Sequence, residues 1–231
     1  MTERQEQLLK ILVESYIKTA EPVSSSALAE HSNLGVSSAT IRNDLAEMDA
    51  QGYLVSPHTS AGRVPTDKGY RYYIETFLNK KRKLERERKA LAERAHAQNR
   101  EMRLRQMAKA LSELTGNAVV LTLGPRRSYT TGVSRLFELP EFASADQMRR
   151  FSQLMDTMDS MMAPLTRKRF DDVRIMIGNE SPFGERMSSM LISFDDPSGG
   201  HGVVSIVGPT RMNYGYNRAL LREVRRLLTE M

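Results

Sequence analysis

The sequence predicts an α+β protein with a helical first third, a charged helical middle and a strand-bearing second half. Residues 1–78 alternate short amphipathic helical patterns with small turns. Residues 79–115 hold almost no Gly, Pro or β-branched side chains and read as helix. From Asn117 onward, apolar runs with strand texture are broken by Gly and Pro. The expected boundaries are 1–78, 79–115 and 116–231. A chain of 231 residues is long enough to bury a core in one large or two small domains.

The first helix is expected from Glu3 to Thr19, with Leu8, Leu12, Tyr16 and Ile17 at helical spacing and Pro22 beyond its end. A short helix follows in SSALAEHS, with Ser24 or Ser25 as N-cap. Asn33-Leu34-Gly35 supplies a turn, because Asn and Gly tolerate left-handed backbone. A third helix starts near Ser37 and stops at Gly52. Two helices joined by a tight turn make a helix-turn-helix pattern.

Steps of about 100° per residue sort the third helix into faces. With Ile41 inward, Leu45 and Met48 lie beside it. Ala39, Asn43, Ala46 and Ala50 fall on the opposite face, with Thr40, Arg42 and Glu47 flanking. Small residues permit close approach to a major groove, Ala can touch a thymine methyl, and Asn and Arg can pair with base edges. A solvent face on any small helical domain would look similar.

The next segment adds to the DNA reading. Tyr53-Leu54-Val55 reads as a strand, Ser56 to Gly62 as a turn-rich loop, and Arg63-Val64 as a returning strand stopped by Pro65. A hairpin directly after such a helix is a wing. Thr59, Ser60 and Arg63 suit phosphate or minor-groove contact, while His58 reads foremost as a polar loop residue. The DNA-contacting candidates are Ser37, Ser38, Ala39, Thr40, Arg42 and Asn43 from the helix, with His58, Thr59, Ser60 and Arg63 from the wing. Thr66 or Asp67 can cap a further helix, in which Tyr70, Tyr73, Ile74 and Phe77 read as core.

Composition excludes several function classes. Cys is absent, so no disulfide framework, thiolate metal site or Cys nucleophile exists. The His residues, His31, His58, His96 and His201, are scattered, so no His-rich metal centre is expected. The sequence lacks GxGxxG, P-loop, nucleophile-elbow and HExxH motifs, and no acid–base set converges. The expectation is no enzyme, no cofactor and no metal. No run approaches a membrane span of ~18 apolar residues. The charged N-terminus MTERQEQLLK is unlike a signal peptide, which points to the cytoplasm.

The formal charge of +6 is unevenly spread. Residues 1–78 hold 7 basic and 10 acidic side chains, whereas residues 79–105 hold 11 and 4. This basic block reads either as a solvated linker helix or as an electrostatic foot near a polyanion. Leu104, Met107, Leu111 and Leu114 give it a short apolar seam at 3-4-3 spacing. That seam suits docking on the C-terminal domain or pairing between two copies.

In the second half, AVVLTL (118–123) reads as a buried strand. Val173–Ile177, Met190–Phe194 and Val203–Val207 follow as strands, with Gly199-Gly200-His201-Gly202 as the turn between the last two. Ser144–Met162 reads as a helix with Met148, Phe151, Leu154, Met155 and Met158 on its apolar side, and Asn217–Met231 as a closing amphipathic helix. An antiparallel sheet with flanking helices results. The many Met read as core filler. In GPTRMNY (208–214), Thr210 or Asn213 can cap the last helix and Arg211 can pair with Glu180 or Glu185.

The run SSATIRNDLAEMDAQGYLVSPHTSAGRVPTDKGYRYYIETFL closely resembles the winged-helix domain of the heat-inducible transcription repressor HrcA family, and EPVSSSALAE before it also fits. TTGVSRLFELPEF, VRIMIGNE and GVVSIVGPTRMNYGY resemble the same family in the second half. The resemblance implies a GAF-like C-terminal domain. It implies a repressor that binds double-stranded DNA as a homodimer, at an inverted-repeat operator upstream of chaperone genes, with heat removing repression and the chaperonin GroEL keeping the repressor competent. One departure stands out: the family's long dimerising insert is replaced by Arg126-Arg127-Ser128-Tyr129-Thr130.

Two other functional readings remain. One is a small-molecule-responsive regulator with a GAF-like sensor domain, which needs a concave pocket with convergent polar groups. The other is a winged-helix module used for protein contact, with the basic helix as docking surface.

Overall fold

The computed structural model describes the chain except residues 33, 59–61, 79–82, 95–98, 125–126, 163, 197–199 and 231, and except the side chains at 150, 151, 154, 155, 158, 159 and 196. It divides into two compact units, Met1–Lys80 and Lys81–Met231.

The first unit opens with α1 (Glu3–Thr19), started by a capping box. Thr2 Oγ1 accepts from Gln5 N, and Gln5 Oε1 accepts from Thr2 N. Leu8, Leu9, Leu12 and Val13 are fully buried. The buried stripe therefore centres on Leu9 and Val13 as well as the expected Leu8 and Leu12, and Tyr16 and Ile17 are only half-buried. Ser24 caps α2 (Ser25–His31), and Ser37 caps α3 (Ser38–Ala50). Gly35 and Gly52 both take positive φ, at 64° and 76°, as the turn before α3 and the stop after it require.

The strands β1 (Leu54–Val55) and β2 (Val64–Pro65) pair antiparallel, with Leu54 opposite Pro65 and Val55 opposite Val64. Pro65 closes the strand from within it, at an edge position where its missing N–H costs nothing. Thr66 caps α4 (Asp67–Phe77). Tyr70, Tyr73 and Ile74 are buried and build core as expected, whereas Phe77 is only half-buried.

The second unit starts with α5 (Glu85–Arg94) and α6 (Arg100–Thr115). The sequence suggested one continuous linker helix; the structure has two helices, both belonging to the second unit. Asn99 breaks the run: its backbone is extended, at φ −132° and ψ 158°, and its side chain caps α6 by accepting from Met102 N at 2.8 Å. The seam residues Met107 and Leu111 are fully buried, as is Leu91 of the basic segment, and Leu84 is buried at 5% exposure. The other two seam residues, Leu104 and Leu114, are half-buried.

After α6 come β3 (Ala118–Leu123), β4 (Arg127–Thr131), α7 (Val133–Phe137), α8 (Ala145–Asp156), α9 (Met158–Met162), β5 (Arg174–Ile177), β6 (Met187–Asp196), β7 (Gly200–Pro209) and α10 (Tyr214–Thr229). The five strands form one antiparallel sheet in the order β4-β3-β7-β6-β5. Strand β4 was not expected, although RSYTT carries strand-forming Tyr and Thr. The single helix expected over 144–162 is two, α8 and α9.

Residues paired across the strands share a face. Val120, Leu191, Val203 and Val207 join Leu136, Phe142, Met162 and Phe183 in an apolar core on one side of the sheet. The other side, carrying Leu121, Ile192 and Val204, is covered by α6 and α10. This is a GAF-like α+β architecture, as the resemblance implied.

One detail corrects the sequence reading and another adds to it. Gly200, His201 and Gly202 are strand residues of β7, with Gly202 opposite Phe194; of the expected turn only residue 199 lies outside the described residues. Gly202 is required for clearance, because a Cβ there would sit 2.3 Å from the Phe194 ring. Arg211 pairs with Glu141, donating to both carboxylate oxygens, one at 3.0 Å. Asn213 caps α10, accepting from Tyr216 N at 3.2 Å.

Candidate nucleic-acid interface

The candidate interface is built on α3. Ile41, Leu45 and Met48 are buried and fix the rotation of the helix. Ala39, Arg42, Asn43, Ala46, Glu47 and Ala50 are exposed, which is the division expected from helical geometry. At the N-terminus, Ser37 Oγ accepts from Thr40 N at 3.2 Å and lies 3.0 Å from Thr40 Oγ1. Ser38 is half-buried, with its hydroxyl 3.1 Å from that of Ser25 on α2. Ser37, Ser38 and Thr40 thus tie the start of α3 in place, while Ala39, Arg42 and Asn43 face solvent.

Sequence reasoning missed the brace under this helix. Asp44 is 4% exposed although charged, and it points inward between α3 and α1. Arg4 donates to it twice, from Nε at 2.7 Å and from Nη2 at 3.0 Å. A bidentate guanidinium–carboxylate pair fixes direction as well as distance. The bond to Asp44 holds the Arg4 pKa above its ordinary value. Beside it, buried Gln5 donates from Nε2 to Glu47 Oε2 at 2.7 Å. The only sequence signal for this was an acid inside the buried arc of α3; its partner is forty positions away.

The wing is anchored to the segment just before α2 as well as to itself. Val23 and Arg63 form an antiparallel bridge, with Val23 N donating to Arg63 O and Arg63 N to Val23 O, both at 2.9 Å. Gly62 permits this approach: a Cβ there would lie 2.4 Å from the Val23 carbonyl. Arg63 Nε sits 2.8 Å from Asp49 Oδ2, an ion-pair contact without hydrogen-bond alignment. Arg63 is therefore a half-buried cation already facing one carboxylate. His58 is exposed, and its carbonyl accepts from Ser56 Oγ at 2.7 Å. Thr59 and Ser60 lie outside the described residues.

The root of the wing is packed on α4. Thr66 Oγ1 donates to Gly52 O at 2.7 Å, and Lys68 Nζ donates to Gln51 O at 2.8 Å while lying 4.3 Å from the Tyr53 ring centroid. Tyr53 meets Tyr72 edge-on at 5.5 Å. Tyr72 in turn donates to Glu6 of α1, and that bond raises the Tyr72 pKa.

Among the described residues, no group of three or more His, Asp or Glu is placed to hold a metal ion, and no helix is long and apolar enough to cross a membrane.

Comparison with known proteins agrees with this arrangement. The family model described as the HrcA protein C terminal domain matches residues 70–216, and that of the DeoR-like helix-turn-helix domain matches residues 4–64. The heat-inducible transcription repressor HrcA of Chlorobaculum tepidum is 47% identical over 103 residues, 45% of this chain and 29% of that protein. Its counterpart in Bifidobacterium longum subsp. infantis is 44% identical over 116 residues, 50% of this chain and 31% of that protein. The matched stretches span less than a third of these relatives. The crystal structure of a hypothetical protein, at 20% identity, superimposes with a TM-score of 0.76 over 100% of this chain and 97% of that one, so the two share a fold. On the match to residues 70–216, the chain belongs to the HrcA family.

Proposed function

We propose that this protein is a heat-inducible transcriptional repressor that binds double-stranded DNA through α3 and the wing. Acting as a homodimer, it reads an inverted-repeat operator that controls chaperone genes. The observation that carries this reading is the division of α3: Ala39, Arg42 and Asn43 stand exposed on a helix whose opposite face is locked by Ile41, Leu45, Met48 and the Arg4–Asp44 pair. A helix so held presents its small and polar residues to a groove without losing their direction.

The roles divide by chemistry. Asn43 and Arg42 pair with base edges, Ala39 approaches a thymine methyl, and Thr40 flanks them. Ser37 and Ser38, at the helix start, contact phosphate. His58, Thr59, Ser60 and Arg63 contact the backbone or minor groove from the wing. A two-fold operator needs two such helices about 34–36 Å apart, hence two copies.

Binding to an inverted-repeat duplex and to a scrambled duplex, at several salt concentrations, tests the reading. Asn43→Ala is expected to cut the preference for the operator by about 1–3 kcal/mol. Arg63→Ala is expected to weaken both duplexes alike and to flatten the salt dependence. If Arg63→Ala leaves that slope unchanged, Arg63 is a structural residue paired to Asp49 and not a phosphate contact.

A further inference from the structure

In the second unit, a cleft of about 580 Å³ opens between the first half of α6 and the strands β3 and β4. We propose that it binds an amphipathic anion: a small molecule with a carboxylate or phosphate head and an apolar chain. The inference goes beyond the repressor reading and does not depend on it.

The floor is apolar, made by Leu104 of α6 with Leu121 and Leu123 of β3. Leu121 is 3% exposed, while Leu104 and Leu123 are half-buried and offer apolar surface to the cleft. The rim is cationic, with Arg100, Arg105 and Arg127 around it. Its one carboxylate, Glu101, is already bonded to Arg105 at 2.6 Å. The lining therefore keeps a net positive charge. Arg127 is exposed and pairs with no acid among the described residues. Arg105 lies over the Tyr129 ring at 5.4 Å, which orients its guanidinium at the wall of the cleft.

Cations above a leucine floor call for a ligand charged at one end and apolar at the other. The volume falls in the ordinary range for small-molecule sites, ~300–1,000 Å³. A nucleic-acid backbone would answer the arginines and leave the leucines uncovered. A second copy of the same face would set arginines against arginines. The cleft lies on the α6 side of the sheet, away from the apolar core around Leu136 and Phe142.

The test is calorimetric titration of the full chain with decanoate and decyl phosphate, each below its micelle concentration, and with decanol below its solubility limit. Decanoate or decyl phosphate is expected to bind saturably at one site, and the tighter of the two identifies the head group. Decanol is expected to bind at least about tenfold more weakly, since it lacks the charge-assisted bonds. Arg127→Glu, on an exposed side chain, should weaken the anion by about tenfold or more, and Arg105→Gln should weaken it too. Lys109→Glu, the same charge reversal at an exposed position of α6 outside the cleft lining, should change affinity less than about twofold. Melting curves of the variants separate lost binding from lost fold. Absence of saturable binding by either anion up to about 1 mM, equal binding of decanol, or wild-type affinity in folded Arg127→Glu and Arg105→Gln would overturn the proposal.

Discussion

Arg4, in the first turn of α1, grips both carboxylate oxygens of Asp44 on the inward side of α3, at 2.7 and 3.0 Å. The pair joins a residue of the supporting helix to the one buried acid of α3. It sits on the buried flank of α3, about 100° around the helix from Asn43, and so constrains the rotation on which the exposed side chains depend.

Removing that acid should loosen the helix without touching the proposed DNA surface. Asp44→Ala is expected to lower the melting temperature of the first unit by about 4 °C or more, because a buried hydrogen-bonded charge is lost. Arg42→Ala, at an exposed position, should leave it within about 1 °C. Differential scanning calorimetry of the two variants makes the comparison.

Gly62 tests the anchoring of the wing. A methyl group at this position meets the Val23 carbonyl at 2.4 Å, so Gly62→Ala must break the Val23–Arg63 bridge or shift it. The expected result is weaker binding to operator and scrambled DNA alike, by about tenfold, with the operator preference retained. Fluorescence anisotropy on both duplexes reads both quantities.

If Arg63 contacts phosphate as proposed, Asp49 competes with that phosphate for it. Asp49→Asn removes the carboxylate 2.8 Å from Arg63 Nε and should raise affinity for any duplex about two- to fivefold. The salt dependence should steepen as well. Unchanged affinity would mean that Arg63 does not reach DNA.

In the second unit, Arg222 of α10 donates to both oxygens of Asp172, from Nε at 2.8 Å, and holds the Asp172 pKa below the usual carboxylate value. A depressed folded-state pKa contributes stability above the unfolded value of about 3.9, and that contribution is lost as pH falls through the folded pKa. Urea midpoints of wild type and Asp172→Asn should therefore differ at pH about 6, with wild type higher, and converge as pH falls below the unfolded value and through the folded-state pKa. A constant gap across that range would contradict the pairing.

How far the sequence foretold this structure depends on whether the deciding interaction was local. The caps at Ser24, Ser37 and Thr66 were legible because each is a hydroxyl residue immediately before a helical pattern. The faces of α3 were legible because helical periodicity separates Ile41 and Met48 from Ala39 and Asn43. Asp44 was not, because a buried acid becomes intelligible only once Arg4 is brought to it from another helix. The break at Asn99 hid within a strongly helical composition. Gly202 read as a turn residue because its reason for being glycine, the Phe194 ring, lies on the neighbouring strand. Arg211 found Glu141 across seventy positions, where spacing carries no signal. For the candidate interface, the residue set could be read from pattern and resemblance, whereas the Asp49 contact that restrains Arg63 could not.

The central claim is that the exposed face of α3 reads base sequence. Its most direct test is the ratio of affinities for an inverted-repeat operator and a scrambled duplex, measured for wild type and Asn43→Ala across a salt series. If the exposed face of α3 reads bases, the wild-type preference persists as salt rises while both affinities fall, and Asn43→Ala reduces the ratio about five- to 150-fold. Equal affinity of the wild-type protein for the two duplexes at every salt concentration would contradict it.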